Sequence, residues 1–279
     1  MDLCGRSVVL TGATGGIGEP LCAALVEAGA RVLAVGRDAA RLDALAARMP
    51  RDAVRCVVAD LASDDGRQRL LQAARTGSPA PSVLVLAHAQ GGFGLFEDQD
   101  PQAMARLVDT NLVAPLLLIR ALLPLLQAHD QAAVAVVGST FGSLAFPGFA
   151  AYSASKFGLR GLVEALAREY ADTPLRFQYL APRATHTAFN TPAVDALNAE
   201  LKVASDAPAD VARALVAAIE RGQARLQLGW PEKLFARLNG VLPGLVDRSL
   251  RAQLPAVRSH ARSPQPDSRE ETRHATPLR

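Results

Sequence analysis

The sequence contains few cysteines and few aromatic residues, and each shortage argues against a class of protein. Cys4, Cys22 and Cys56 are an odd number of cysteines, widely spaced and without a CxxC pair. They predict neither a disulfide framework nor a metal site, and they fit a reducing compartment. Aromatic residues make up 5% of the chain and the formal net charge is only +3. Because no basic stripe interleaves with aromatic residues, we expect no nucleic-acid partner.

Long hydrophobic segments are also missing. The N-terminal stretch MDLCGRSVVL has no basic region followed by a long apolar run, which predicts that there is no signal peptide. The apolar run Leu112–Leu126 is interrupted by Pro115, Arg120 and Pro124 and is too short to span a bilayer. The sequence therefore predicts a cytoplasmic protein.

Short apolar runs alternate with helical segments along most of the chain. The predicted strands are Ser7–Leu10, Arg31–Val35, Val54–Ala59, Ser82–Ala87, Ala132–Val137, Leu175–Leu180 and Ala224–Leu228. A long helix over Pro101–His129 is expected to be kinked, because it contains Asn111 and two prolines. Alternation of this kind predicts an α/β fold, a Rossmann-type doubly wound parallel sheet with helices on both faces. Ligands of such sheets bind beyond the carboxyl ends of the strands.

A glycine-rich turn, TGATGGIG, directly follows the first predicted strand and precedes a helix that runs to about Ala28. This arrangement presents backbone N–H groups and the positive end of a helix dipole to a phosphate. Side chains here would hold a pyrophosphate away from the backbone. The predicted phosphate site consists of Gly12, Thr14, Gly15, Gly16, Ile17 and Gly18.

The residue after the second strand distinguishes NAD from NADP in a dinucleotide fold. An acidic residue there binds the ribose 2′-OH, whereas a basic one pairs with the 2′-phosphate. This chain has Arg37, and the following Asp38 is interpreted as the N-cap of the next helix. The sequence therefore favours NADP(H). If Arg37 is an ordinary surface residue, NAD(H) remains an alternative.

Tyr152 and Lys156 are four residues apart in the segment AAYSASKFGLR, which has a helical composition. Residues at this spacing share one helix face, so an ammonium lies close to a phenol. A nearby positive charge lowers the pKa of a tyrosine and makes its hydroxyl usable for proton transfer. The pair alone would fit many solvated helices, and its meaning depends on the rest of the chain.

Taken together, these motifs resemble those of the short-chain dehydrogenase/reductase family over about residues 5–230. The resemblance depends on the glycine turn together with Asp60, Leu61, Asn111, Ser139, Tyr152, Lys156, Pro182 and Thr187. It implies that Tyr152 is the general acid or base and that Lys156 lowers its pKa and binds the nicotinamide ribose. It further implies that Ser139 holds the substrate oxygen and that Asn111 holds a water linking Lys156 to solvent.

The remaining implied contacts concern the cofactor. Asp60 and Leu61 would contact the adenine, and Thr187 the nicotinamide amide. The sequence departs from the family pattern at two places. Ala87-His88-Ala89-Gln90 stands where Asn-Asn-Ala-Gly is usual, and Pro182-Arg183 where Pro-Gly is usual.

These departures leave three side chains without an assigned role. His88 replaces a missing amide or is a structural turn residue. Arg183 meets an acidic group of the substrate, meets the cofactor phosphates, or points to solvent. For His186, in the same loop, we favour a surface position over one in the pocket.

Phenylalanines cluster around these motifs and favour an apolar substrate. They are Phe93, Phe96, Phe141, Phe146, Phe149, Phe157 and Phe189. The resemblance thus implies an NADP(H)-dependent oxidoreductase that reduces a ketone or oxidises a secondary alcohol, on an apolar or 3-oxoacyl-type substrate. Two alternatives are a non-redox epimerase or dehydratase and a cofactor-binding protein without turnover. Closure of the loops onto the core would explain the phenylalanines equally well.

We expect a domain over residues 1–230, a helical extension over 231–254 and a disordered tail over 255–279. The extension has apolar residues at helical spacing with arginines between them. It could form a subunit contact, a lid on the pocket or a membrane-surface helix. Packing against its own domain or a partner subunit is favoured over membrane contact. A homodimer or homotetramer is expected.

Overall fold

The computed structural model describes residues 1–262, which form a parallel seven-stranded sheet with helices on both faces. The strands are β1 Ser7–Thr11, β2 Arg31–Gly36, β3 Val54–Val58, β4 Pro81–Leu86, β5 Ala132–Val137, β6 Leu175–Ala181 and β7 Arg225–Gln227. Their order across the sheet is β3-β2-β1-β4-β5-β6-β7. This confirms the predicted fold class, and each predicted strand is present.

The helices alternate with the strands up to β7 and continue beyond it. They are α1 Gly18–Glu27, α2 Ala39–Ala47, α3 Asp64–Arg75, α4 Pro101–Val108, α5 Ala114–Gln127, α6 Ala150–Glu169, α7 Pro192–Glu200, α8 Pro208–Glu220, α9 Trp230–Val241, α10 Pro243–Arg251 and α11 Leu254–Ala261. The predicted irregularity in the long helix is a π-helical turn, Asp109–Val113, between α4 and α5.

Two apolar cores lie on opposite faces of the sheet, because successive side chains of a strand point to opposite sides. Val8 and Leu10 of β1 face α1 and α8, whereas Val9 belongs to the core beneath α3, α5 and α6. All residues of β4 and β5 are buried. The continuous apolar strands of the sequence reflect this burial on both faces.

Among the described residues, Pro101–Gln127 is the one helical stretch that length and composition would allow to cross a membrane. This stretch is longer than the apolar run Leu112–Leu126 noted in the sequence. The π-helical turn joins α4 and α5 into one continuous helical path. One side of α5 nevertheless packs into the core of the sheet, where Leu118, Ile119, Leu122 and Leu126 are buried. We therefore interpret this stretch as a core helix.

Residues 255–261, which the sequence assigned to a disordered tail, belong instead to α11. Val257 is fully buried, and His260 Nε2 lies 2.7 Å from Glu200 Oε2 at the end of α7. The polar composition concealed this helix, because its attachment to the domain includes the burial of Val257 and the contact of His260 with Glu200, which no local pattern predicts. The prediction for residues 263–279 lies outside the described residues.

The chain order reverses between β1 and β4, which lie side by side at the centre of the sheet. Loops that leave the two strands turn to opposite faces and open a crevice at the carboxyl edge. The glycine turn after β1 and the His88 turn after β4 meet there.

Candidate active site

A cleft of about 980 Å³ occupies the carboxyl edge of the sheet. It is lined by the segments that follow β1 to β6 and, at its far end, by the helices beyond β7. The predicted site residues that line it are Gly12, Thr14, Gly15, Gly16, Ile17, Gly18, Arg37, Asp60, Leu61, Ser139, Tyr152, Lys156 and Thr187. Of the predicted site residues, only Asn111 does not line this cavity.

The glycine turn is shaped by close backbone contacts. Gly12 has φ +67°, and a Cβ on it would lie 2.7 Å from the backbone nitrogen of His88. A Cβ on Gly18 would overlap the carbonyl oxygen of Gly12. Helix α1 begins here without a side-chain N-cap. Its first backbone N–H groups and dipole therefore suit a phosphate group.

Two guanidinium groups lie at the end of β2 rather than the one that the sequence suggested. Arg37 is exposed and lines the cleft. Arg41, on α2, also lines it and donates a hydrogen bond to the carbonyl oxygen of Thr14. Asp38 caps α2 by accepting a hydrogen bond from Arg41 N at 3.1 Å, as predicted. Arg41 was not among the predicted site residues, although it stands four residues after Arg37.

Asp60 and Leu61 follow β3 at the same edge. The Asp60 carboxylate is exposed and accepts a hydrogen bond from Ala62 N at 3.1 Å, while Leu61 is buried. Together they offer one polar and one apolar contact at this end of the cleft.

Tyr152 and Lys156 lie on α6 and are both buried, with exposed fractions of 8% and 2%. Lys156 Nζ is 5.7 Å from the centroid of the Tyr152 ring. It donates a hydrogen bond to the carbonyl oxygen of Val137, at the end of β5, at 3.3 Å. The i and i+4 spacing therefore places both groups between the helix and the sheet edge.

Burial, rather than the ammonium, dominates the titration of the tyrosine. The sequence predicted that Lys156 lowers the pKa of Tyr152, but burial raises the pKa of Tyr152 to about 12, with the Ser139 hydrogen bond opposing the rise. Burial also lowers the pKa of Lys156 to about 8. The net shift of the Tyr152 pKa is therefore opposite to the predicted one, because the cost of removing a phenolate from water dominates and Lys156 is not among the causes of the shift.

Replacing Lys156 by methionine tests this burial through the pH dependence of stability. Folding lowers the pKa of Lys156 from 10.5 to about 8, so the unfolded chain binds the proton more tightly and stability rises with pH across this window. Lys156→Met lacks that titration. When the pH is raised from below 8 to above 10.5, the unfolding free energy of wild type should therefore increase by about 3 kcal/mol more than that of the variant.

Urea unfolding of both proteins at several pH values measures this difference. The comparison cancels the titration of other groups that both proteins share. A difference in unfolding free energy that stays constant with pH would contradict a desolvated ammonium.

Ser139 begins the segment after β5. Its Oγ accepts a hydrogen bond from Phe141 N at 3.1 Å, and its side chain lies close enough to Tyr152 to lower the pKa of that phenol. Two hydroxyl groups, from different elements, thus converge at the cleft. They can address a single oxygen atom of a bound molecule.

Asn111 is fully buried in the π-helical turn and acts as a bridge between segments. Its side chain accepts from Gln90 N at 2.7 Å and donates to Gln90 O at 2.9 Å and to Ser155 Oγ at 3.2 Å. It thereby anchors the turn after β4, whose usual amides are missing, to helix α6. Its implied role in holding a water beside Lys156 stays a prediction.

His88 lies beside the glycine turn, with Nδ1 2.7 Å from Thr11 Oγ1. Its Nε2 is buried and has no hydrogen-bond partner within residues 1–262. Burial, assisted by the Lys156 charge, lowers the pKa of His88 to about 4. The imidazole is therefore neutral at physiological pH. His186, by contrast, is exposed and does not line the cleft.

Arg183 lines the cleft but is already paired with two carboxylates. Its guanidinium lies 2.6 Å from Asp206 Oδ1 and 3.7 Å from Glu232 Oε2, and the Asp206 hydrogen bond raises the Arg183 pKa. Arg183 is therefore neither free to bind an anion nor turned to solvent, which were the roles predicted for it. Because Glu232 lies in the first turn of α9, Arg183 ties the loop after β6 to the C-terminal helices.

Thr187 faces the glycine turn across the cleft, since a Cβ on Gly16 would overlap its side chain. Its Oγ1 accepts a hydrogen bond from Phe189 N at 3.4 Å. The loop after β6 thus closes over the turn, and Thr187 stands where the two segments approach each other.

Phenylalanines pack around the Tyr152 ring at the other end of the cleft. Phe141 lies edge-on to it, with ring centroids 6.2 Å apart, and Phe189 lies 6.1 Å away. Phe146 and Phe149 also line the cleft. Phe93 packs behind Phe149 at 4.9 Å. The remaining two that the sequence singled out, Phe96 and Phe157, are exposed outside the cleft.

The helices after β7 complete the wall of the cleft. Their contributions come from Pro231, Glu232, Phe235, Val246, Ser249, Leu250 and Gln253. Val246, Ser249 and Leu250 follow an i, i+3, i+4 pattern, which identifies the inward face of α10, and Gln253 lies just beyond that helix. Of the roles suggested for this segment, packing against its own domain as part of the pocket wall is the one observed.

Comparison with known proteins places the chain among relatives with the same fold. A family model described as short chain dehydrogenase matches residues 6–198. The 2,3-dihydroxy-2,3-dihydro-p-cumate dehydrogenase of Pseudomonas putida is 32% identical over 190 residues, which cover 67% of this chain and 73% of that protein.

Solved structures extend the comparison to the whole fold. A short chain dehydrogenase from Burkholderia cenocepacia in complex with NADP has a TM-score of 0.76 at 23% identity, covering 90% of this chain and 99% of that one. The 3-ketoacyl-(acyl-carrier-protein) reductase of Brucella melitensis complexed with NADH has a TM-score of 0.74 at 25% identity, covering 81% and 97%. This chain therefore belongs to the short-chain dehydrogenase/reductase family of oxidoreductases, which act on CH–OH groups.

Proposed function

We propose that this protein is an NADP(H)-dependent reductase of an apolar ketone, or a dehydrogenase of the corresponding secondary alcohol. The observation that carries the proposal is the convergence of the Ser139 and Tyr152 hydroxyls at the mouth of a phenylalanine-lined pocket, next to a glycine turn. A nicotinamide cofactor, when bound, supplies or accepts the hydride. The protein supplies position and the proton.

The glycine turn fits such a cofactor. Side chains on Gly12 or Gly18 would collide with neighbouring backbone, and one on Gly16 would overlap the Thr187 side chain. The phosphate-binding segment is thus kept free of side chains, as a close approach of pyrophosphate requires. The neighbours that bind NADP and NADH support the same class of cofactor.

In the direction of reduction, Tyr152 donates its proton to the developing alkoxide. A pKa that burial raises to about 12 keeps the hydroxyl protonated at neutral pH, which suits a general acid. Ser139 stabilises the same oxygen by a second hydrogen bond. Lys156, buried beneath the ring, has a pKa near 8 that allows it to pass on a proton.

An apolar substrate is supported by the lining of the cleft. Phe141, Phe146, Phe149 and Phe189 stand near Tyr152, and Val246 and Leu250 line the far wall. The 3-ketoacyl reductase among the structural neighbours makes a 3-oxoacyl chain a reasonable member of the substrate panel. Arg183 is not available to bind an acidic substrate, because two carboxylates already face it.

Absorbance of reduced cofactor in the presence of a ketone panel tests the proposal directly. Consumption of NADPH with long-chain ketones, and less with small polar ones, is expected. Cofactor binding without consumption would identify a binding protein, and isomerisation or dehydration of substrate without net consumption would identify a non-redox enzyme.

Preference for NADP(H) over NAD(H) is proposed on the basis of Arg37 and Arg41. A variant with both arginines changed to alanine should bind NADPH about 10²–10⁴-fold more weakly, since it loses two charge-assisted hydrogen bonds that contribute about 1.5–3 kcal/mol each. Binding of NADH should stay unchanged, because it has no 2′-phosphate. Arg31→Ala, at the opposite end of β2, is the matched control. Equal losses for both cofactors would contradict a 2′-phosphate contact.

We also propose a cytoplasmic location, as the three unpaired cysteines favour.

A homodimer or homotetramer is proposed from the exposed apolar side chains of Val113, Leu116 and Phe157. Light scattering of the purified protein distinguishes these states from a monomer.

A further inference from the structure

The helices α9 and α10 form a hairpin with two different faces. The inner face lines the cleft, and Val246 on it is buried at 2% exposure. Asn239 Nδ2 holds α9 to the domain by donating to Ser143 O at 3.1 Å. The opposite face carries large apolar side chains that are about half exposed or more.

Large apolar side chains project from this outer face. Trp230, Leu234 and Val241 are separated by four and seven residues, so they lie on one side of α9. Trp230 is 72% exposed and Val241 76%. Leu242 and Leu245, at the turn into α10, are 50% and 60% exposed. These five residues form an apolar ridge at the tip and along one side of the hairpin.

Cations flank the apolar ridge. Lys233, Arg237, Arg248 and Arg251 are exposed on α9 and α10 and form no ion pair within residues 1–262. The two acidic residues of the hairpin offset little of this charge, because Glu232 faces Arg183 inside the cleft. Asp247 is the only acidic side chain of α9 and α10 that remains unpaired.

This combination favours one kind of partner. Tryptophan and leucine on one face with lysine and arginine beside them are typical of helices that lie in the interface of an anionic membrane. A second copy of this chain fits less well, because its symmetric contact would bring like charges together. The flanking cations are complementary to lipid phosphates instead.

We propose that the apolar ridge and its four flanking cations dock the protein on an anionic lipid surface. The same two helices form the wall of the cleft, so docking brings the cleft next to the bilayer. An apolar substrate dissolved in the membrane then has a short path to Tyr152. The docking itself is independent of the proposed function; only this substrate route depends on it.

Sedimentation of the full-length protein with vesicles tests the docking. The vesicles contain phosphatidylcholine either alone or mixed with phosphatidylglycerol. Wild type should sediment with the mixed vesicles only. Val241→Ser combined with Leu242→Ser should lower the partition coefficient tenfold or more. Arg248→Gln with Arg251→Gln should lower it about fivefold per cation.

Phe96→Ser is the matched control, since Phe96 is 64% exposed on a loop outside the hairpin. It should leave vesicle binding unchanged. Failure of wild type to bind the mixed vesicles, or equal binding to phosphatidylcholine alone, would overturn the proposal. So would a drop in molar mass of the Val241→Ser, Leu242→Ser variant by light scattering, which would identify the ridge as a subunit contact.

Turnover of a water-soluble ketone separates this result from the proposed function. The Val241→Ser, Leu242→Ser variant should keep wild-type NADPH consumption in solution, because neither residue lines the cleft. A wild-type protein that binds vesicles but consumes no NADPH would refute the reductase proposal and leave the docking intact.

Discussion

Replacing Tyr152 by phenylalanine is expected to lower kcat for ketone reduction about 10³-fold, the typical contribution of a positioned general acid. The ring would remain in place, because its packing against Phe141 and Phe189 does not depend on the hydroxyl. Cofactor affinity should therefore change little. Stopped-flow consumption of NADPH gives kcat, and quenching of cofactor fluorescence gives the Kd.

Tyr170→Phe is the control for this experiment. Tyr170 packs against Phe177 at 5.4 Å, away from the cleft, and loss of its hydroxyl should leave the rate unchanged. If Tyr152→Phe retained a rate within a few-fold of wild type, another group would have to supply the proton and the assignment of Tyr152 would be refuted. An equal fall in cofactor affinity would indicate a binding role instead.

The second large effect is expected at the glycine turn. Gly16→Ala should weaken NADPH binding about 100-fold, because a Cβ there overlaps Thr187 and holds the pyrophosphate away from several backbone N–H groups. Gly16 is exposed in the cleft and its φ is not positive. The overlap with Thr187 should displace the loop after β6 and lower the thermal midpoint slightly, while the larger loss should appear in the Kd.

Gly161→Ala is the matched control, since Gly161 lies inside α6 with nothing within 4 Å of an added Cβ. Alanine at that helical position should stabilise the protein by about 0.5–1 kcal/mol and leave cofactor affinity unchanged. Titration calorimetry with NADPH compares the two variants. Near-wild-type affinity in Gly16→Ala would mean that the phosphate groups do not approach this turn.

The site residues that the sequence identified are those whose position follows from local pattern. Parallel strands end at one edge, so the glycine turn, Arg37, Asp60 and Ser139 could be assigned to a common cleft without coordinates. The Tyr152–Lys156 spacing defined a helix face in the same way. The fold class, the strand positions and the irregular turn at Asn111 were likewise predictable.

Other features needed contacts between distant segments. Arg183 meets Asp206 and Glu232, and no sequence spacing announces that pairing. The lining of the cleft by α10 depends on how the extension folds back over the sheet. Docking of α11 through Val257 depends on the same path.

The pKa values of Tyr152 and Lys156 show most clearly which properties the sequence predicts and which depend on the folded structure. From the sequence, an ammonium near a phenol predicts a lowered tyrosine pKa; in the folded protein, burial raises the pKa of Tyr152 instead. The sequence by itself determined which groups share a helix face and a sheet edge, because strand and helix periodicities are local. Only the tertiary structure decided which of them lose water and which charges pair, because desolvation depends on every segment packed around a group.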